Sequence, residues 1–272
     1  MLTRRSALPG FAFTFGITLL WLSLIVLLPL AALVVRPWEL GLEGVWQSVT
    51  EPRSLASLRL SFGIAALAAM LNVPFGLLIA WVIVRYRFPG RNFADSLIDM
   101  PLALPTAVAG IALTALFAPK GWLGALLTPL GIKVAYTPLG ILPALIFVGL
   151  PFVVRTLEPV IMDLPLEVEE AAATLGATRA QIVCQVVLPT LMPALLAGFG
   201  AALARGLGEY GSVIFIAGNM PMVSEIAPLL IVIRLEQLDY AGAAGLGLAM
   251  LLVSFALLLL LNLLERRVNL GA

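Results

Sequence analysis

Apolar residues in this chain gather in long unbroken runs, and polar residues collect between the runs. A helix rises about 1.5 Å per residue, so a run of about 20 apolar residues is the length needed to cross a hydrocarbon layer. Six such runs fall at Phe11–Val35, Leu60–Val84, Leu97–Ala118, Pro138–Val154, Thr190–Ala217 and Ala241–Leu264. The fourth is short and the fifth is long and glycine-rich. Pro29, Pro74, Pro105 and Pro143 lie inside runs, which membrane helices accept where neighbours satisfy the freed backbone groups. The pattern predicts an all-α membrane protein of six transmembrane helices, one domain over 1–272.

Composition agrees and narrows the function. Charged residues make up 11% of the chain, against about 25% in a soluble domain. There is no histidine and a single cysteine, Cys184, which removes Ser-His-Asp, HExxH and CxxC chemistry, thiolate metal clusters and any intrachain disulfide. No metal site and no catalytic residue is expected. No P-loop occurs, so energy for any transport comes from a gradient or from another polypeptide. The net charge of +1 makes no case for a nucleic-acid partner. The N-terminal Met1–Arg5 and the apolar run after it resemble a signal peptide only in outline. The run is far longer than the 7–15 residues of a signal core, and it reads as the first span.

Arginine and lysine in short loops orient the spans. With both termini cytoplasmic, the inner side carries Arg4, Arg5, Arg85, Arg87, Arg91, Arg155, Arg179, Arg266 and Arg267. The outer side carries Arg36, Arg53, Arg59, Lys120, Lys133 and Arg234. Loops 85–96 and 155–189 then face inward, and 36–59, 119–137 and 218–240 face outward.

The longest inner loop, 163–189, predicts two short helices with a sharp turn between them. Asp163 is placed to cap the first, with Pro165 in its first turn. Glu167, Glu169 and Glu170 favour the positive end of its dipole. Val168, Ala171, Ala172 and Leu175 form a narrow apolar stripe. Gly176 falls where a left-handed residue ends a helix, and Thr178 with Gln181 has the spacing of a capping box. Physically, this is either a connector lying on the membrane surface or a rigid hook for a protein groove. Apart from Leu175 the stripe is Ala and Val, short of the large residues that lipid binding favours.

Glu170-Ala171-Ala172, three residues, Gly176, nine residues and Val186-Val187-Leu188-Pro189 together resemble the EAA loop of bacterial ABC-importer permeases, with Val in place of the usual Ile. The resemblance implies a type I ABC-importer (MetI-like) fold, with this loop docking on a cytoplasmic ATPase through Val168, Glu170, Ala171, Ala172, Leu175 and Gly176. Further stretches are Pro101–Leu113, Ala204-Arg-Gly-Leu-Gly-Glu-Tyr-Gly-Ser212, Gly218-Asn-Met-Pro221 and Leu238-Asp-Tyr-Ala-Gly242. The first resembles the third span of oxyanion permeases, and the others resemble the T-type permeases of the sulfate/thiosulfate family. That implies a second, W-type permease as heterodimer partner, two ATPase subunits that carry the ATP and magnesium, and an external binding protein. It also implies residence in a bacterial inner membrane. No cofactor is implied in this chain itself.

Arg205 and Glu209 fall in the fifth run, four residues apart and so on one helix face. Charges at membrane depth usually face a bundle interior or a wet cavity, so a structural ion pair and a place on the translocation path both fit. A neutralised pair is the arrangement least hostile to a dianion. Tyr210, Ser212, Thr106 and Asn72 are polar within runs and are further path candidates, though a lone polar side chain is more often an interhelical bond. Three rivals stand beside the sulfate reading: a molybdate or tungstate permease; a secondary transporter, for which no paired inverted repeat is evident; and an intramembrane enzyme, to which the absence of histidine leaves little to catalyse with.

Overall fold

The computed structural model describes residues 10–271, and all regular structure within them is helical. Arg4 and Arg5, counted above as inner charges, lie outside the described residues. The chain opens with α1 (Phe11–Leu22), a π-helical turn over Ser23–Leu27 and α2 (Leu28–Val35). A 3-10 stretch and α3 (Gly41–Thr50) follow, and then the long α4 (Pro52–Arg85). Two short helices, α5 (Arg91–Ile98) and α6 (Met100–Ala103), lead into α7 (Thr106–Phe117) and α8 (Trp122–Leu127). Next come α9 (Pro138–Asp163), α10 (Leu166–Thr174), α11 (Arg179–Ile182), a second π-helical turn over Val183–Val187, and α12 (Leu188–Leu207). The chain closes with α13 (Val213–Ile216), α14 (Ala227–Glu236) and α15 (Tyr240–Gly271).

Six stretches among the described residues are long and apolar enough to cross a membrane, as expected. Their boundaries differ from the apolar runs for identifiable reasons. The second begins at Pro52 rather than Leu60, because proline lacks only an N–H that the first turn leaves free anyway. The segment 36–59 is therefore mostly helical and not an open loop. The third begins at Thr106 rather than Leu97. Pro105 forces Leu104 into extended backbone with ψ 135°, and the preceding residues coil into α5 and α6. The fourth runs on to Asp163, carrying Pro143, Pro151 and Pro159 inside it. The fifth stops at Leu207, ten residues before the end of its apolar run. The segment 218–240 contains α14.

The three helices α4, α9 and α12 form the centre. Small residues let them approach: a Cβ added at Gly76 of α4 would lie 2.7 Å from Val153 of α9. Gly198 and Gly206 of α12 sit over Val153 and Ala65 in the same way. Close backbone approach through small residues replaces the hydrophobic drive that lipid removes. Ala65, Ala68, Leu157, Ile161, Leu191 and Leu203 fill the space between them. The most apolar window of the first span, by contrast, is wholly unburied.

Candidate functional site

The hook is built by local chemistry. α10 ends at Thr174 with Leu175 as its C-cap, and Gly176 takes φ +86°. The Gly176 N–H donates to Ala173 O at 3.0 Å and the Ala177 N–H to Ala172 O at 3.1 Å, the paired bonds of a Schellman end. A Cβ at Gly176 would meet nothing within 4 Å, so glycine serves conformation here and not space. The capping box forms as expected: Gln181 N–H donates to Thr178 Oγ1 at 3.4 Å, and Thr178 N–H to Gln181 Oε1 at 2.8 Å. Two expectations fail. Asp163 does not cap α10; it is the last residue of α9, and Pro165 holds the cap position without a side-chain bond. Nor is α11 a separate helix, because it passes through the π-helical turn straight into α12.

The stripe on α10 is open. Leu175 is 89% exposed and Val168 43%, Ala171 and Glu170 are exposed, and Ala172 is half-buried. Glu169 instead turns inward. It accepts from Arg85 Nη2 at 3.0 Å, and the same nitrogen donates to Leu164 O at 3.0 Å. The Arg85 guanidinium lies 5.2 Å from the centre of the Trp81 ring. The end of α4 thus grips the hook where it leaves α9.

The second candidate site is a turn inside the bundle. Arg205 Nη1 and Glu209 Oε2 pair at 2.8 Å. They are not on one helix, as the spacing predicted, because α12 ends at Leu207 between them. The other carboxylate oxygen, Glu209 Oε1, accepts from the Ser212 N–H at 2.8 Å and from Ser212 Oγ at 2.9 Å. Glu209 is 3% exposed, and both its oxygens are engaged. Against this turn packs the start of α7. A Cβ at Gly211 would run into Thr106 Oγ1, and one at Gly110 would sit 2.7 Å from Ser212 Cα. Thr106 and Ser212 therefore meet at one place, while Tyr210 is half-buried beside it and gives its carbonyl to the Ile214 N–H at 3.0 Å. Glu209 and Ser61 of α4 line one small void. Ser61 lies nine residues along α4 from Pro52, about 13 Å, so the turn is well inside the bundle.

Asn72 sits elsewhere. It is 1% exposed, packed on Gly149 of α9 and Ala202 of α12, and its amide has no hydrogen-bond partner among the described residues. It belongs to the helix crossing and not to the turn.

Several charges escaped the sequence reading as pairs. Arg155 on α9 binds Asp95, Asp99 and Glu158, each at 2.7 Å. At the opposite end of the molecule Arg53 and Glu225 pair at 2.7 Å, and Arg234 reaches Glu51 at 2.8 Å along with Ser48, Ser54 and the Gly242 carbonyl. Of these, Arg155 and Glu158, three residues apart, carried a local signal. The other partners are distant in the chain.

Comparison with known proteins gives this architecture a class. Over 94% of this chain and 93% of the other, the fold superposes on a chain of a bacterial alginate ABC transporter solved with an alginate-bound periplasmic protein, at a TM-score of 0.76 and 17% identity. It also matches the inward-facing MetNI methionine ABC transporter, at a TM-score of 0.56 and 17% identity over 80% of this chain and 95% of that one. The six-helix bundle is thus the MetI-like fold of ABC-importer permeases. The family model for the inner membrane component of binding-protein-dependent transport systems matches residues 72–270. At the level of sequence, the chain is 47% identical to the sulfate transport system permease protein CysT of Escherichia coli strain K12, covering 97% of this chain and 95% of that protein. It is 44% identical to the protein of that name from Synechocystis, covering 97% and 93%. The chain belongs to the sulfate-permease family of binding-protein-dependent inner membrane components.

Proposed function

We propose that this chain is a permease subunit through which an ATP-driven importer passes sulfate or thiosulfate. It would pair with a second, W-type permease chain, take substrate from an external binding protein and dock on two cytoplasmic ATPase subunits, which hold the ATP and magnesium. The hook end faces the cytoplasm with both termini, and the Arg53–Glu225 end faces outward. Segment 163–189, within a single permease domain, is the coupling loop. The observation that carries this reading is the open stripe of α10 on a locally rigid hook, in a chain 47% identical to a sulfate permease. That identity favours sulfate over molybdate or tungstate, and over a secondary transporter.

In this reading Arg205, Glu209, Tyr210, Ser212 and Thr106 flank the translocation path. The carboxylate of Glu209 is neutralised by Arg205 and by two donors from Ser212, so a passing dianion meets no uncompensated negative charge. Glu170, Ala171 and Ala172, with Val168 and Leu175, contact the ATPase, and Gly176 sets the angle at which they are presented.

Gly176→Val and Glu170→Lys, neither in a span, test the assignment. Both variants should reach the membrane at wild-type levels, lose ATPase in pull-down or hydrolyse ATP without transport, and fail in labelled-sulfate uptake. Wild-type pull-down and uptake by both would remove the coupling role from the loop.

A further inference from the structure

We propose that Arg155 is the joint through which movement of the hook reaches the turn at Glu209. The inference rests on the reading of the hook as the ATPase-docking element. The hook and the turn lie at different levels of the bundle. On α9, Arg155 is 14 residues from Ile141, which lines the void beside Glu209, so about 21 Å of helix separates the two levels.

The joint is an unusually crowded ion cluster. Arg155 Nε and Nη2 grip both oxygens of Asp99, at 2.8 and 2.7 Å. Nη1 reaches Asp95 at 2.7 Å and both oxygens of Glu158 at 2.8 and 2.7 Å, and Nη2 also donates to the Asp95 carbonyl at 3.0 Å. A two-pronged guanidinium–carboxylate pair fixes angle as well as distance. Three carboxylates share one cation, so without Arg155 they repel one another. Asp95 lies on α5 and Asp99 immediately before α6, whereas Arg155 belongs to the helix that continues into the hook. Phe93, Leu97, Met100 and Leu102 on the short helices are exposed, so of their large apolar residues only Ile98 packs on the core. The carboxylates are its polar tie to α9.

From the joint the path to the turn is short. Seven residues after Asp99 comes Thr106, where α7 starts, and Thr106 and Gly110 abut Gly211 and Ser212. Ser212 in turn holds Glu209. At the other end, Arg85 fastens the hook to α4 through Glu169 and Leu164. A displacement of the hook is carried by α9, shifts Asp99 through Arg155, and moves Thr106 against the turn.

The test uses the assembled importer, with its ATPase and binding protein, at matched membrane levels. ATPase pull-down, ATP hydrolysis and labelled-sulfate uptake are measured for Arg155→Gln, Arg155→Lys and Asp99→Asn. Pull-down and hydrolysis should stay at wild-type levels while uptake falls, about tenfold for Arg155→Gln and about threefold for Asp99→Asn, within the range that network residues exert on coupling. Arg155→Lys keeps the charge but loses the fork, and should fall between wild type and Arg155→Gln. More ATP is then hydrolysed per sulfate carried. Hydrolysis and uptake falling together would make Arg155 a merely structural residue, and unchanged uptake would remove it from the path altogether. Should Arg155→Gln fail to accumulate, Asp99→Asn decides by the same criteria, since its half-exposed side chain leaves Arg155 two other partners. If the wild-type chain captures no ATPase, the docking reading falls, and the joint with it. If it captures ATPase and transports, only the variants bear on the joint.

Discussion

Among the turns that interrupt helices in the described residues, those at Gly176 and at Gly208–Ser212 are built in opposite ways. The first stands free: no atom approaches the missing Cβ of Gly176, and its bonds all come from residues within five positions. The second is packed from outside. Its glycine faces Thr106, its Ser212 backbone lies on Gly110, and its carboxylate is buried against Arg205. A turn held by its own chain keeps its shape while its surroundings change, which suits a surface that must meet a partner. A turn held by neighbours changes when they move, which suits an element under the control of another helix.

This contrast makes graded predictions. The largest effect is expected at Gly110, where a valine would drive its side chain into the Ser212 backbone. Gly110→Val should cost about 3 kcal/mol or more, since neither backbone can give way without overpacking, and should strongly reduce the folded protein recovered from membranes. Next comes Glu209→Ala, which strips the acceptor from Ser212 and from Arg205 together. A loss of about 2–3 kcal/mol is expected from the orphaned buried donors, read as a lower melting temperature in detergent alongside impaired sulfate uptake. Gly176→Val should cost about 1–2 kcal/mol of left-handed strain. The melting temperature should barely shift, because the turn at Gly176 touches nothing outside the hook, yet coupling should be lost. If Gly176→Val melted as low as Gly110→Val, the hook would not be independent of the bundle. Smallest is Thr178→Ala, which removes one side of the capping box at about 1 kcal/mol. Hydrogen exchange at 178–182 should rise while uptake stays near wild type.

The same contrast explains what the sequence made legible. The hook's left-handed glycine and capping box were readable because every partner lies within a few residues. The six spans were readable because lipid demands length and apolarity and little else. The end of α12 was not, since 208–217 is as apolar and glycine-rich as a helix in a membrane, and what stops it is the hold of Ser212 on Glu209 and the press of α7. Asp163 ends α9 instead of capping α10 because α9 tolerates Pro159 and continues past it, while Pro165 bars Leu164 from helical backbone. The Arg85–Glu169 and Arg155–Asp99 contacts join residues 84 and 56 positions apart, and no local pattern announces them.

The π-helical turn at Val183–Val187 gives the hook a compass bearing. An α-helix advances about 100° with each residue, and a π turn holds one residue more than an α turn. Everything on the hook side of that turn is therefore rotated, relative to α12, by roughly a quarter-circle. Deleting a single residue there would leave the hook's sequence, its caps and the apolarity of the fifth span intact. It would swing Val168 and Leu175 to a different heading, so the number of residues between Gly176 and Pro189 acts as an angular setting for the face that the proposed docking presents to the ATPase.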